Sequence, residues 1–224
     1  MIHLQQAQDA LLGFLDLGGW VVGVILALSV LSGAVVIAKL VQFRAAGVGR
    51  HGALIAALDA SDRGARSRAI ALADSAPSHL GPVLARALQT GAGRDRLYTL
   101  AEGRLARLDF GFRLLDTVAQ IAPLLGLFGT VLGMIDAFRA MQEAGQDVDP
   151  SVLAGGIWVA LMTTAAGLAV AMPVTAILAW FEGRMTGERR MAEMVIEGAL
   201  SPDADATLPD DRPVAGRARG AAHA

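Results

Sequence analysis

The chain has 224 residues, of which 54% are hydrophobic and only 18% charged, with a mean hydropathy of +0.50. A soluble domain carries closer to about a quarter charged residues. The absence of cysteine excludes a disulfide framework and a thiolate metal site. The net charge of −2 says little by itself, and no nucleic-acid partner is expected.

The apolar residues are gathered rather than spread. No charged side chain occurs from Leu17 to Ala38, from Thr117 to Ile135, or from Ser151 to Phe181. Each run is about as long as the roughly 20 residues a helix needs to cross a bilayer core. Three such runs predict an all-α integral membrane protein with three transmembrane helices.

Residues 1–17 hold no Lys or Arg and are expected as a periplasmic N-terminus. They lack a basic n-region, and Asp9 and Asp16 precede the apolar run, so the segment reads as an uncleaved anchor. The first transmembrane helix is expected over 18–41, with Lys39 and Arg44 marking its cytoplasmic end.

Residues 42–113 form a cytoplasmic helical region that carries eleven arginines between Arg44 and Arg113. Leu54, Ile55 and Leu58 recur at helical spacing in His51–Ala60, and Ala65–Ala73 is a second short amphipathic piece. Pro77, Gly81 and Pro82 punctuate the chain there. From Arg94 the series Leu97, Leu100, Leu105, Leu108, Phe112, Leu115 runs on without a stop, which predicts one long helix entering the second membrane segment, 114–138.

Residues 139–156 form the outer loop, in which Met141–Gly156 lacks Lys and Arg and carries Glu143, Asp147 and Asp149. Its Asp149–Pro150 pair is a good N-cap and N1 for the third helix. The membrane part of that helix is taken as 157–181, continuing into the cytoplasm through Met185, Met191, Met194 and Ile196. Residues 182–224 are this helix extension followed by a tail, disordered from 201, rich in Ala, Pro, Asp, Gly and Arg. Arg184, Arg189 and Arg190 follow the third run, so the positive-inside rule gives the N-terminus out and the C-terminus in.

The inner two helices carry stripes of small residues: Ala119, Ala122, Gly126, Gly129, Gly133 and Ala137 in one, and Ala160, Thr164, Gly167, Ala171 and Thr175 in the other. Gly129 and Gly133 have GxxxG spacing, which lets two backbones approach closely. Lipid supplies no hydrophobic reason for helices to associate, so two such stripes on three helices predict oligomerisation. Thr130, Thr163 and Thr164 sit on or beside the stripes as candidate pore-lining residues. Their hydroxyls could equally bond the carbonyl one turn back. Pro123 and Pro173 free a carbonyl each, which neighbours must satisfy.

No Asp, Glu, Lys, Arg or His lies deep in any run, and Asp116 and Asp136 only flank the second. An intramembrane charge is kept mainly where ions or protons move. If the chain works on protons, a partner must bring the acid. His3, His51, His79 and His223 share no metal spacing, and Gly126, Gly129 and Gly133 are followed by no P-loop lysine, so neither an enzyme nor a cofactor is expected.

The stretch APLLGLFGTVLGMI at 122–135 resembles the second membrane helix of the ExbB/TolQ proteins of the MotA/TolQ/ExbB proton-channel family. GIWVALMTTAAGLAVAMP at 156–173 is similar to their third. The resemblance implies a multi-pass inner-membrane motor subunit that forms a homo-oligomeric ring, typically a pentamer. The ring would surround a single-helix ExbD- or TolR-like partner carrying the membrane aspartate, and drive a TonB- or TolA-like protein. It places Thr130 and Thr164 among the family's pore-facing threonines. Many ExbB and TolQ proteins have a glutamate where this chain has Val159. A flagellar-type stator, usually with four membrane helices, and a non-conducting membrane scaffold are the competing readings.

The arginine distribution makes the topology testable. A reporter fused after Arg94 or Arg190 reads cytoplasmic, and one at Gln146 reads periplasmic. A periplasmic signal from position 94 contradicts the three-span topology.

Overall fold

In a bilayer core there is no water to satisfy backbone polar groups, so a spanning segment bonds itself as a helix. The computed structural model, which describes residues 2–144 and 150–201, contains seven helices and no strand among those residues. They are α1 (Ile2–Ala45), α2 (Gly52–Asp62), α3 (Arg66–Asp74), α4 (Gly81–Thr90), α5 (Arg94–Asp109), α6 (Phe112–Ala144) and α7 (Pro150–Leu200). Three helical stretches are long and apolar enough to span a membrane: Gly19–Ala45, Arg94–Glu143 and Leu153–Leu200. The chain is an all-α membrane protein. The expected disordered tail lies outside the described residues, apart from Ser201.

Two helices extend further than their apolar runs. α1 reaches back to Ile2 through a break at Gly19, whose φ of 60° and ψ of −159° fall in a region open essentially to glycine alone. α7 is unbroken for 51 residues, about 76 Å of helix, from Pro150 to Leu200.

The expected single helix from Arg94 into the membrane is interrupted. α5 ends at Asp109, α6 begins at Phe112, and Gly111 between them has φ of 96°. The break is filled from α1. Lys39 Nζ donates to the Leu108 carbonyl at 2.8 Å, and Gln42 Nε2 donates to the Arg107 carbonyl at 3.0 Å. These are among the last carbonyls of α5, which have no partner of their own helix to accept from. Lys39 also donates to Gln42 Oε1 and lies 5.3 Å over the Phe112 ring. Lys39 therefore does more than mark the end of a span.

The chain divides into two compact units. In the first, Met1–Gly49 with Gly103–Arg189, an aromatic cluster joins the three long helices. Phe43 of α1, Phe112 of α6 and fully buried Phe181 of α7 have ring centroids 5.0–6.2 Å apart. Buried Glu188 of α7 accepts the Gly49 amide at 2.7 Å, and Arg189 pairs with Asp109.

The second unit, Arg50–Glu102 with Arg190–Ala224, is built on α2, α3 and α4 together with the start of α5 and the end of α7. Leu54, Leu80, Leu84, Leu97 and Ile196 are fully buried in it. Glu197 accepts from Arg94 and Tyr98, and Gly198 lies against Leu58. Gly81 and Pro82 do more than punctuate: they open α4, with Pro in the first turn and Gly91 as its left-handed C-cap.

The small-residue stripes of α6 and α7 face each other within one chain, antiparallel. A Cβ added at Gly126 would lie 2.9 Å from the Thr163 carbonyl oxygen and from Thr164 Cα, and one at Gly133 would lie 3.0 Å from Ala160 Cβ. Cβ atoms at Gly167 and Gly156 would run into the Ala122 carbonyl and the Ala137 methyl. The inference from these stripes to oligomerisation therefore does not follow. Between Ala122 and Ala137 and between Gly156 and Gly167 the stripes have a partner in their own subunit, so this part of them does not argue for a second chain.

The same substitution should have opposite effects on and off this seam. Gly167→Ala forces the α6 backbone away and is expected to destabilise by about 1–3 kcal/mol. Gly183→Ala, also in α7 but with nothing within 4 Å, should be neutral or stabilise by up to about 1 kcal/mol. Thermal unfolding of the two purified variants in the same detergent checks this. Equal tolerance of both would contradict the seam.

Candidate functional site

Of the three threonines singled out in the sequence, the seam takes in Thr163 and Thr164, and the structure treats all three differently. Thr163 is 2% exposed and fills the room that Gly129 leaves, since a Cβ there would come 2.6 Å from its hydroxyl and 2.8 Å from its Cβ. Its Oγ1 donates to the Ala160 carbonyl at 2.7 Å and lies 3.2 Å from the Gly126 carbonyl across the seam. A hydroxyl has one proton, so the two carbonyls share it. Thr163 is thus a tie between α6 and α7.

Thr130 is half-buried, and its Oγ1 donates to the Leu127 carbonyl of its own helix at 2.6 Å. Thr175, lower in α7, does the same with Ala171 at 2.9 Å. These are ordinary back-bonds.

Thr164 has no such bond. Its hydroxyl oxygen is buried and has no hydrogen-bond partner, although the residue as a whole is only half-buried. The seam fills one of the two carbonyls within reach of a back-bond, and the other, that of Leu161 three residues back, is not used. The Ala160 carbonyl, one turn back, already accepts the Thr163 hydroxyl in addition to the helix ladder bond from the Thr164 amide. A carbonyl has two lone pairs, and both are in use. An unmade bond at a buried hydroxyl costs about 1–3 kcal/mol, so this position holds a donor that a ligand could satisfy.

The two prolines are placed apart. Pro123 is half-buried within α6. Pro173 of α7 is exposed and lines a small groove with Ser29, Ser32 and Gly33 of α1, where Ser32 Oγ donates to the Ser29 carbonyl at 2.9 Å. Asp116 and Asp136 are exposed at the two ends of the apolar part of α6. Val159 lies half-buried one turn before Thr163. Among the described residues no three acidic or histidine side chains converge on a metal site.

Sequence reasoning missed Gly156 as part of the seam. The signal was present, because Gly156, Ala160, Thr163 and Gly167 continue one face at helical spacing. The tying role of Thr163 carries no such signal. It depends on which glycine of the other helix lies opposite.

Residues 75–194, more than half of the chain, match the MotA/TolQ/ExbB proton channel family. The chain belongs to that family. The match includes the whole of α6, its seam with α7 and all three threonines. An ExbB biopolymer transport protein of Vibrio cholerae is 50% identical over 66 residues, which is 30% of this chain and 29% of that protein. The biopolymer transport protein ExbB of Neisseria gonorrhoeae is 42% identical over 76 residues, 34% of this chain and 33% of that one. The Tol-Pal system protein TolQ of Haemophilus influenzae is 42% identical over 82 residues, 36% of each. The chain spans about a third of the length of these relatives. It is an ExbB/TolQ-type family member, and both names recur at comparable identity.

Proposed function

We propose that this family member is the ring-forming subunit of a proton-driven motor in the bacterial inner membrane. Several copies, five in the usual assembly of the family, enclose the single membrane helix of an ExbD- or TolR-like partner. That helix brings the aspartate whose protonation and release couple proton flow to movement. The movement is passed to a TonB- or TolA-like protein and does work at the outer membrane, in biopolymer transport or envelope maintenance. The N-terminus is periplasmic, and the Arg-rich segment and C-terminus are cytoplasmic.

The observation that carries this reading is the unpaired hydroxyl of Thr164. A carboxylate in a nearly dry site is costly unless a donor bonds its charged form. The apolar runs of this chain contain no acid of their own and no cation, so the charge must come from outside the subunit. Thr164 is a buried donor in the membrane whose hydroxyl bonds nothing in its own chain. Turning about χ1 brings that donor to the partner aspartate, and the same bond relieves its unsatisfied state. Thr130 contributes in the same way once its back-bond to Leu127 opens. Valine at position 159 leaves no carboxylate in the place where many ExbB and TolQ proteins have a glutamate. A proton crossing the membrane yields about 2.3 kcal/mol per 100 mV, enough to bias one step between packed helices.

Threonine-to-valine substitutions keep the shape and remove the hydroxyl. Thr164→Val should leave the complex intact and abolish or sharply reduce proton-driven function in cells. Thr175→Val should be close to neutral for both. Thr163→Val should lower stability first, because it removes the shared bond between α6 and α7. Activity is compared at matched complex levels. Full activity of Thr164→Val contradicts a place for Thr164 on the proton path.

A further inference from the structure

Between α1 and α6 lies a groove of about 650 Å³. Val35 and Ala38 line it from α1, and Phe110 and Leu114 from the α5–α6 break and the start of α6. It is placed where both apolar runs end and the charged residues begin, so its character changes along the membrane normal. Toward Val35, Leu114 and Thr117 it is apolar, and toward Lys39, Asp109 and Arg113 it is charged.

Most of the polar groups here are already engaged. The Lys39 ammonium is 4% exposed and bound to Gln42 and the Leu108 carbonyl, and the Gln42 amide is used at both ends. Asp109 is paired with Arg189. Arg113 is exposed, lines the groove, and has no ion pair among the described residues. Phe110 in the break is 83% exposed, a phenyl ring presented at the rim of the groove.

We propose that this groove binds an anionic phospholipid from the leaflet bordering the Arg-rich segment. The phosphate takes the Arg113 guanidinium, whose planar donors match two phosphate oxygens. The buried Lys39 cation behind it adds to the positive field, while the Asp109 carboxylate is neutralised by Arg189. One acyl chain runs along Val35, Ala38 and Leu114, and Phe110 closes over the glycerol region. A basic site between membrane helices at the cytoplasmic face is suited to such headgroups. A second protein chain would have to supply an acid opposite Arg113 and an apolar ridge beside it. A lipid has both in that order along the bilayer normal.

The test is competitive retention by the purified full chain in nonionic detergent. The chain is incubated with equal amounts of dioleoyl phosphatidylglycerol and dioleoyl phosphatidylcholine and read by native mass spectrometry. Phosphatidylglycerol should be retained about fivefold over phosphatidylcholine. Arg113→Gln should erase that preference, and Arg113→Lys should keep most of it. Ala38→Trp, which fills the groove, should lower retention of both lipids. Equal retention of the two lipids by the unmodified chain overturns the proposal whatever the variants do. So does a preference that survives Arg113→Gln. An Ala38→Trp chain that loses its oligomer yet keeps the lipid preference assigns the groove to a second copy of the chain instead, which also overturns it.

Discussion

The structure depends on how closely the backbones of α6 and α7 approach. In lipid, apolar side chains gain nothing by leaving one apolar medium for another, so helix association rests on packing and on the bonds it permits. At Gly126, Gly133, Gly156 and Gly167 the facing helix occupies the place a side chain would need. This contact makes Thr163 fully buried and brings its hydroxyl to a carbonyl of the other helix as well as to that of Ala160. The unpaired hydroxyl of Thr164 is thus next in the chain to the residue that ties the two helices.

The end of the spans nearest the Arg-rich segment is held differently. Aromatic rings from the three long helices meet there, and Lys39 and Gln42 bond carbonyls left unpaired where α5 stops. The seam is made of small groups and closes by van der Waals contact. The other end is made of large rings and one buried cation. The two kinds of contact thus hold the three long helices at different levels, one by close backbone approach and the other by rings and a buried amine.

The three spans were legible in the sequence because each is an interval without charge, a property independent of how the helices pack. The run of α7 past the membrane was legible for another reason, the apolar period that continues through Met185, Met191, Met194 and Ile196 among charged residues. The break at Gly111 was not, because Leu105, Leu108, Phe112 and Leu115 keep their spacing across it, and one glycine in a helical pattern is an ambiguous mark. α4 was missed because Gly81 and Pro82 look like breakers when they stand at a helix start. The glycine stripes were recognised as packing surfaces, but a small-residue face reads the same whether its partner is in the same chain or the next. Likewise nothing in the sequence separates Thr163 from Thr164. Only the residue opposite decides which hydroxyl is used.

The placement of the seam inside one subunit is the claim on which the reading of Thr164 rests. Because the chain has no cysteine of its own, a single introduced pair reports on it without background. Gly133→Cys with Ala160→Cys puts two thiols on Cβ positions about 3.0 Å apart in the structure, near enough to disulfide geometry to close with a small shift. Oxidation of the membrane-embedded double variant should yield an intramolecular disulfide that runs at the mass of one chain on a non-reducing gel. A ladder of cross-linked dimers and higher species would mean that α6 meets α7 of a neighbour, and would contradict the account.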